Sequence, residues 1–113
     1  MRVDVKTTQN GRAGHITPYG DVDLAGAPRL REALSDVLSD GPVNLLMDLR
    51  SVTFIDSTGL GVLVGAGKKA YGLGGSMRIV CDNPRIIKLL SLTGISRSLP
   101  VLATFEEATA DWP

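Results

Sequence analysis

One nearly unbroken apolar run, residues 43–49 (VNLLMDL), limits the folds open to this chain. An apolar run without polar alternation is typical of a strand buried on both faces of a sheet, as in parallel sheets covered by helices. Residues 3–7 alternate apolar and polar side chains, and 13–19 predict a second strand. Asn10-Gly11 between them is typical of a hairpin turn. Pro18 has no N–H to donate, so that part of the second strand should be an edge or an end.

Helical stretches and further strands follow the hairpin. The first helix is predicted over 24–38 and the second over 57–71, and two more begin near Pro84 and Thr104. Two short strands are expected at 77–81 and 99–102. Apolar residues at helical spacing define one face of each long helix: Leu24, Ala27, Leu30, Leu34, Val37 and Leu38 on the first, and Leu60, Leu63, Val64, Gly67 and Tyr71 on the second.

This order predicts an α/β fold. The sheet should be mixed and mostly parallel, with four to five strands and about four helices, and an antiparallel hairpin should open it. The 113 residues suit a single domain spanning 1–113.

Charge and composition argue against several classes of function and binding site. Twelve Lys and Arg balance twelve Asp and Glu, which leaves no basic excess for direct nucleic-acid binding. We find no apolar segment long enough to span a membrane and no leader-like start, so a cytoplasmic protein without membrane association is expected. A disulfide within the chain cannot form because Cys81 is the single cysteine. One His and one Cys predict no metal site, and no cofactor is expected.

Catalytic motifs fail on spacing. A phosphate-binding P-loop would need glycine at Val62, and Lys68 is followed by a second lysine instead of Ser or Thr. A nucleophile elbow around Ser57 would need glycine at Ile55. The lone histidine, His15, fits a surface or hydrogen-bonded strand residue better than a general base. The sequence therefore favours a protein that is not an enzyme.

Ser57 is a candidate functional residue because it follows a predicted buried strand and begins a helix. Its hydroxyl should lie at the carboxyl-end rim of the sheet, where binding sites gather, although an N-cap role would also explain it. Gly59, Gly61 and Gly65 lower helix stability and leave the backbone bare, which would let another protein approach. Asp21 and Asp23 stand at a strand end and suit turn and helix-cap chemistry; a direct binding role is the alternative.

These residues also resemble a family. Residues 54–63 (FIDSTGLGVL) are similar to the signature of anti-sigma factor antagonists, small bacterial regulators built on a STAS domain. GDVD at 20–23, APRLR at 27–31 and LTGI at 92–95 resemble further segments of that family at the expected intervals. The resemblance implies one STAS-like domain over 1–113.

The resemblance also implies a phosphorylation switch. Ser57 takes the position of the serine that an anti-sigma factor with serine kinase activity phosphorylates, and Thr58 is the weaker neighbouring candidate. The unphosphorylated form would bind the anti-sigma factor and release the sigma factor, and a serine phosphatase would restore that form. The expected partner-binding residues are Asp21, Asp23, Asp56, Ser57, Thr58, Gly59, Gly61 and Gly65.

Other hypotheses about the function are also compatible with the sequence. A STAS protein can serve as a docking subunit of a stress-signalling or lipid-transport complex without direct control of sigma. Another hypothesis is a nucleotide-binding or hydrolytic protein that uses the glycine-rich start of the second helix. The catalytic motifs that fail on spacing argue against it. The sequence also leaves a weak homodimer open.

Overall fold

A computed structural model describes residues 1–39 and 41–112, which form six strands and five α-helices. The α/β prediction and the opening antiparallel hairpin are confirmed, and a short 3-10 turn, Gln9–Gly11, closes the hairpin. The elements in chain order are β1 Arg2–Thr8, β2 Ala13–Val22, α1 Ala27–Leu38, β3 Asn44–Asp48, β4 Val52–Ile55, α2 Ser57–Gly72, β5 Ser76–Val80, α3 Pro84–Leu92, α4 Ile95–Ser98, β6 Val101–Leu102 and α5 Phe105–Thr109.

Strand β2 organises the sheet because it pairs with three other strands. One edge pairs antiparallel with β1 at residues 13–19, and the other edge pairs parallel with β3 at residues 13–16 and then with β4 at residues 20–22. Pro18 falls between the two parallel pairings, where that edge of β2 has no partner strand and a missing N–H is tolerated. The main strand order is β1-β2-β3-β5-β6.

The sheet buries both faces, as the apolar run at 43–49 predicted. Leu45 and Met47 belong to the larger core, which includes buried residues of α1, α2 and α3. Leu46 points the other way and packs with Val80 and Ala108 beneath α5. Alternate side chains of β3 therefore enter opposite cores, which explains why Leu45, Leu46 and Met47 are apolar in unbroken order.

Several local predictions were wrong. The segment after β3 forms a separate strand, β4, and the short helix α4 was also not predicted. The last strand contains only Val101–Leu102. Leu24 lies before α1 with 73% of its surface exposed, since the helix begins only at Ala27.

The buried face of α2 also differs from the prediction. Tyr71 is 52% exposed, and Leu60 and Val64 are only partly buried. Leu63 and Gly67 are buried as predicted, and three of the other four buried positions are Gly or Ala, which lets α2 pack close to the sheet. The buried positions are Gly59, Val62, Leu63, Ala66, Gly67 and Ala70.

Candidate functional site

The candidate site lies at the carboxyl ends of β2 and β4. Val22 pairs in parallel with Ile55, so the two strands end side by side. The loop 23–26 therefore follows β2 at the same edge of the sheet at which α2 follows β4. Binding sites collect at such rims because several loops converge there. The fold therefore brings the segments 20–23 and 56–61 together, although they are distant in sequence.

Asp56 joins these two segments. Its Oδ1 accepts a hydrogen bond from the Gly59 N–H at 2.9 Å, which caps the first turn of α2. Its Oδ2 accepts a hydrogen bond from the Leu24 N–H at 3.1 Å, across to the loop after β2. The N-cap is thus Asp56, and the alternative that Ser57 caps the helix was wrong.

Ser57 is the first residue of α2, and its side chain is exposed. Its hydroxyl makes no hydrogen bond to any other described residue. The helix N-terminus beneath it carries unpaired N–H groups and partial positive charge. Thr58 is half-buried. Of the two neighbouring hydroxyls, the one on Ser57 is the more accessible to another protein.

Two other carboxylates stand on the same rim, and both already have partners. Asp21 is exposed and accepts a hydrogen bond from the Thr53 hydroxyl at 2.9 Å. Asp23 accepts a hydrogen bond from the Gly26 N–H at 2.9 Å and so shapes the turn before α1. Asp21 is thus a strand residue with its charge toward solvent, whereas Asp23 has the turn role that the sequence favoured.

The three glycines have different environments. A Cβ at Gly59 would lie 2.1 Å from the Val22 carbonyl oxygen, so Gly59 permits close packing against β2 and exposes no bare surface. The prediction that it lowers the surface beside Ser57 was wrong. Gly61 and Gly65 are exposed, and a Cβ at either would meet open space. They line a groove of about 210 Å³ between α1 and α2.

Sequence reasoning missed two apolar side chains at this rim. Leu24 is 73% exposed, and Phe54, opposite Asp21 in the β2–β4 pairing, is 52% exposed. The helical spacing of Leu24 pointed to the core, so no local signal marked it as a surface residue. Exposed apolar area with polar residues at its rim is typical of a protein-binding surface.

A second polar cluster lies on the α5 side of the sheet. Asp48 is buried and accepts hydrogen bonds from His15 Nε2 at 2.9 Å and from Arg50 Nε at 2.9 Å and Nη2 at 2.7 Å. Burial raises the pKa of Asp48, but the hydrogen bonds from His15 and Arg50 outweigh it and hold the pKa well below its usual value. His15 lies in β2, forms this hydrogen bond to Asp48 and stacks on Phe105. It is thus the hydrogen-bonded strand residue that the sequence favoured.

Two general properties of the described chain bear on the site. No group of three or more His, Cys, Asp and Glu residues within 1–39 and 41–112 could hold a metal ion. Across the same residues, no helix combines the length and hydrophobicity needed to cross a membrane.

Comparison with known proteins identifies the family. The sequence profile of the STAS domain matches residues 4–108, which is most of the chain. This chain belongs to the STAS domain family. The anti-sigma-B factor antagonist of Bacillus subtilis (strain 168) is 34% identical to this STAS domain over 106 residues, covering 94% of this chain and 96% of that protein. The anti-sigma-B factor antagonist of Staphylococcus aureus (strain NCTC 8325 / PS 47) is 30% identical over 95 residues, covering 84% and 88%.

Solved structures agree with the STAS assignment. The crystal structure of an anti-sigma factor antagonist from Mycobacterium paratuberculosis superposes on this STAS domain with a TM-score of 0.82 at 26% identity, covering 96% of this chain and 92% of that one. The fold expected from the sequence resemblance is therefore confirmed.

Proposed function

We propose that this STAS protein is a cytoplasmic anti-sigma factor antagonist controlled by phosphorylation of Ser57. The unphosphorylated form binds an anti-sigma factor that is also a serine kinase, and the sigma factor is released. A serine phosphatase reverses the modification. The observation that carries the proposal is the exposed, unbonded Ser57 hydroxyl on the first turn of α2, in a chain whose relatives are named anti-sigma-B factor antagonists.

The binding surface in this proposal combines apolar contact with acidic side chains. Leu24 and Phe54 supply exposed apolar area, and Asp21 supplies an exposed negative charge. Asp56 and Asp23 keep the loops in place through their hydrogen bonds to backbone N–H groups. Gly61 and Gly65 leave α2 without side chains one and two turns beyond Ser57, so a partner can approach the helix backbone there.

The switch works through local charge. A phosphate on Ser57 adds a charge of about −1.5 to −2 at pH 7, beside the Asp56 carboxylate. The N-terminus of α2 favours that charge by only about 0.3 to 1 kcal/mol, so the fold is retained. An interface that buried the phosphate without a cationic partner would lose several kcal/mol, and each 1.4 kcal/mol is about tenfold in affinity. Phosphorylation therefore stops binding without a change of fold.

Reconstitution with the anti-sigma kinase encoded in the source genome tests the proposal. Wild type and Thr58→Ala should accept one labelled phosphate from ATP, whereas Ser57→Ala should accept none and should bind the kinase constitutively. Ser57→Asp should bind at least about tenfold more weakly, with unchanged circular dichroism and melting curve. Equal labelling of Ser57→Ala, or undiminished binding by Ser57→Asp, would contradict the proposal. Labelling without release of a sigma factor from the kinase would favour the docking-subunit alternative.

A further inference from the structure

Strand β1 is the outermost strand of the sheet. It pairs with β2 on one side, and its other edge has no partner within the described residues. Six of its seven residues are exposed; Val3 alone is buried. A strand edge presents unpaired N–H and C=O groups, which can pair with another strand.

Side chains alternate between the two faces of β1. Arg2, Asp4 and Lys6 lie on the face that carries His15 and Thr17 of β2, because Lys6 pairs with His15 and Asp4 with Thr17. Val5 lies on the opposite face and is 44% exposed. The free edge therefore offers unlike charges on one face, two residues apart, and an apolar side chain between them on the other face.

We propose that two copies of this chain associate by antiparallel pairing of their β1 strands about a twofold axis at Val5. In this register Val5 of each copy lies opposite Val5 of the other. Asp4 of each copy lies opposite Lys6 of the other, so two unlike pairs form on one face. The two sheets join into a continuous one, and the contact is self-complementary, as a twofold interface requires.

Charge selects this register over its neighbours. A shift of two residues in one direction places Asp4 opposite Asp4, and a shift in the other direction places Lys6 opposite Lys6. Side chains directly opposite are about 5 Å apart and diagonal ones about 7 to 8 Å, so the directly opposite pair dominates. A shift by one residue would bring Val5 to the charged face. Lys6 forms no ion pair with any described residue, which leaves its ammonium available for the second copy.

The association should be weak. Edge pairing of one seven-residue strand buries less area than the standard interface of about 1,600 Å², and Val5 is the one exposed apolar side chain of β1. Arg2, in an exposed ion pair at 3.0 Å, and the Tyr19 hydroxyl, in a hydrogen bond at 3.0 Å, already contact the Asp4 carboxylate and compete with the new pair, although exposed pairs contribute little. We therefore expect a dimer with a Kd of roughly 0.1 to 1 mM.

Single cysteines test the register. Val5→Cys should form an intermolecular disulfide on mild oxidation because the two positions face each other across the axis. Thr7→Cys is the matched control: it lies on the same face, but the two copies are offset there by four residues, about 13 Å. The native Cys81 is fully buried and should not react. Equal crosslinking of the two variants would overturn the proposed register.

Charge reversal tests the same pairing without covalent chemistry. Asp4→Lys and Lys6→Asp should each lose self-association, measured by sedimentation equilibrium, because two like pairs replace two unlike ones. An equimolar mixture of the two should form a heterodimer, and the double variant Asp4→Lys/Lys6→Asp should again self-associate. The double variant also lacks the Arg2–Asp4 pair, so its recovery separates pairing between copies from stability within one copy. Absence of association in the mixture and in the double variant would overturn the proposal.

Discussion

The Asp56 carboxylate holds the Leu24 backbone N–H at 3.1 Å while it caps α2 through Gly59 at 2.9 Å. One side chain therefore fixes the helix that presents Ser57 and the loop that presents Leu24. Neither contact involves the Ser57 side chain, so support of the rim and the chemistry proposed for it rest on separate residues.

Removing the Asp56 carboxylate should destabilise the fold. Asp56→Ala loses the cap and the contact to the loop, and we expect the free energy of unfolding to fall by about 1 to 2 kcal/mol. Urea denaturation monitored by circular dichroism measures the change. Ser57→Ala is the neighbouring control, which should stay within about 0.5 kcal/mol of wild type because the hydroxyl is exposed and unbonded. A larger loss for Ser57→Ala than for Asp56→Ala would contradict this division of roles.

Gly59 and Gly61 should respond oppositely to alanine. At Gly59 the added Cβ meets the Val22 carbonyl oxygen and the Ile55 side chain, so Gly59→Ala should cost at least about 2 to 3 kcal/mol. At Gly61 the Cβ meets open space, and alanine should stabilise the helix by about 0.5 to 1 kcal/mol. Thermal unfolding of the two variants checks the prediction. Similar effects of the two substitutions would show that the close approach of α2 to β2 is wrong.

The buried Asp48 should make stability depend on acid pH. Its pKa is lowered in the folded state, so its contribution is complete above the unfolded value of about 3.9 and is lost as the pH falls below that value. One such group contributes up to about 1.4 kcal/mol per pH unit to the slope of the unfolding free energy. Asp48→Asn should flatten that slope below about pH 4.

Denaturant titrations at several acid pH values measure this slope. Asp111→Asn provides the comparison, because Asp111 also has a lowered pKa, from its hydrogen bond to Arg78, but is largely exposed. Solvent screening should make its effect smaller. An unchanged slope in Asp48→Asn would contradict the role given to the buried pair.

Sequence reasoning predicted the features that short segments encode. The hairpin at Asn10-Gly11 was predicted from its turn residues, and the helix starts near Pro84 and Thr104 from residue types that suit an N-terminus. Asn83 and Thr104 do cap those helices through their side-chain oxygens. These features depend on contacts within about four residues, which a sequence displays directly.

Features that depend on distant partners were not predictable in this way. No local pattern in residues 52–55 indicates that this segment forms a separate strand and pairs with residues 20–22 of β2. The spacing of Leu24 fits a helix, but the bond from its N–H to Asp56, thirty-two residues away, places it in the rim loop. The sequence gives no sign that Gly59 and Gly61 differ in burial. Only the fold distinguishes them, because it packs Val22 against Gly59.

The sequence by itself determined the α/β class, the buried strand β3 and the position of Ser57 at the start of a helix, because each follows from local patterns of hydrophobicity and helix-start residues. The tertiary structure alone decided which distant loop Asp56 also holds, which glycines face solvent and which apolar residues are exposed at the rim. Those outcomes depend on the pairing of β2 with β4, a contact between segments some thirty residues apart whose register no local pattern encodes.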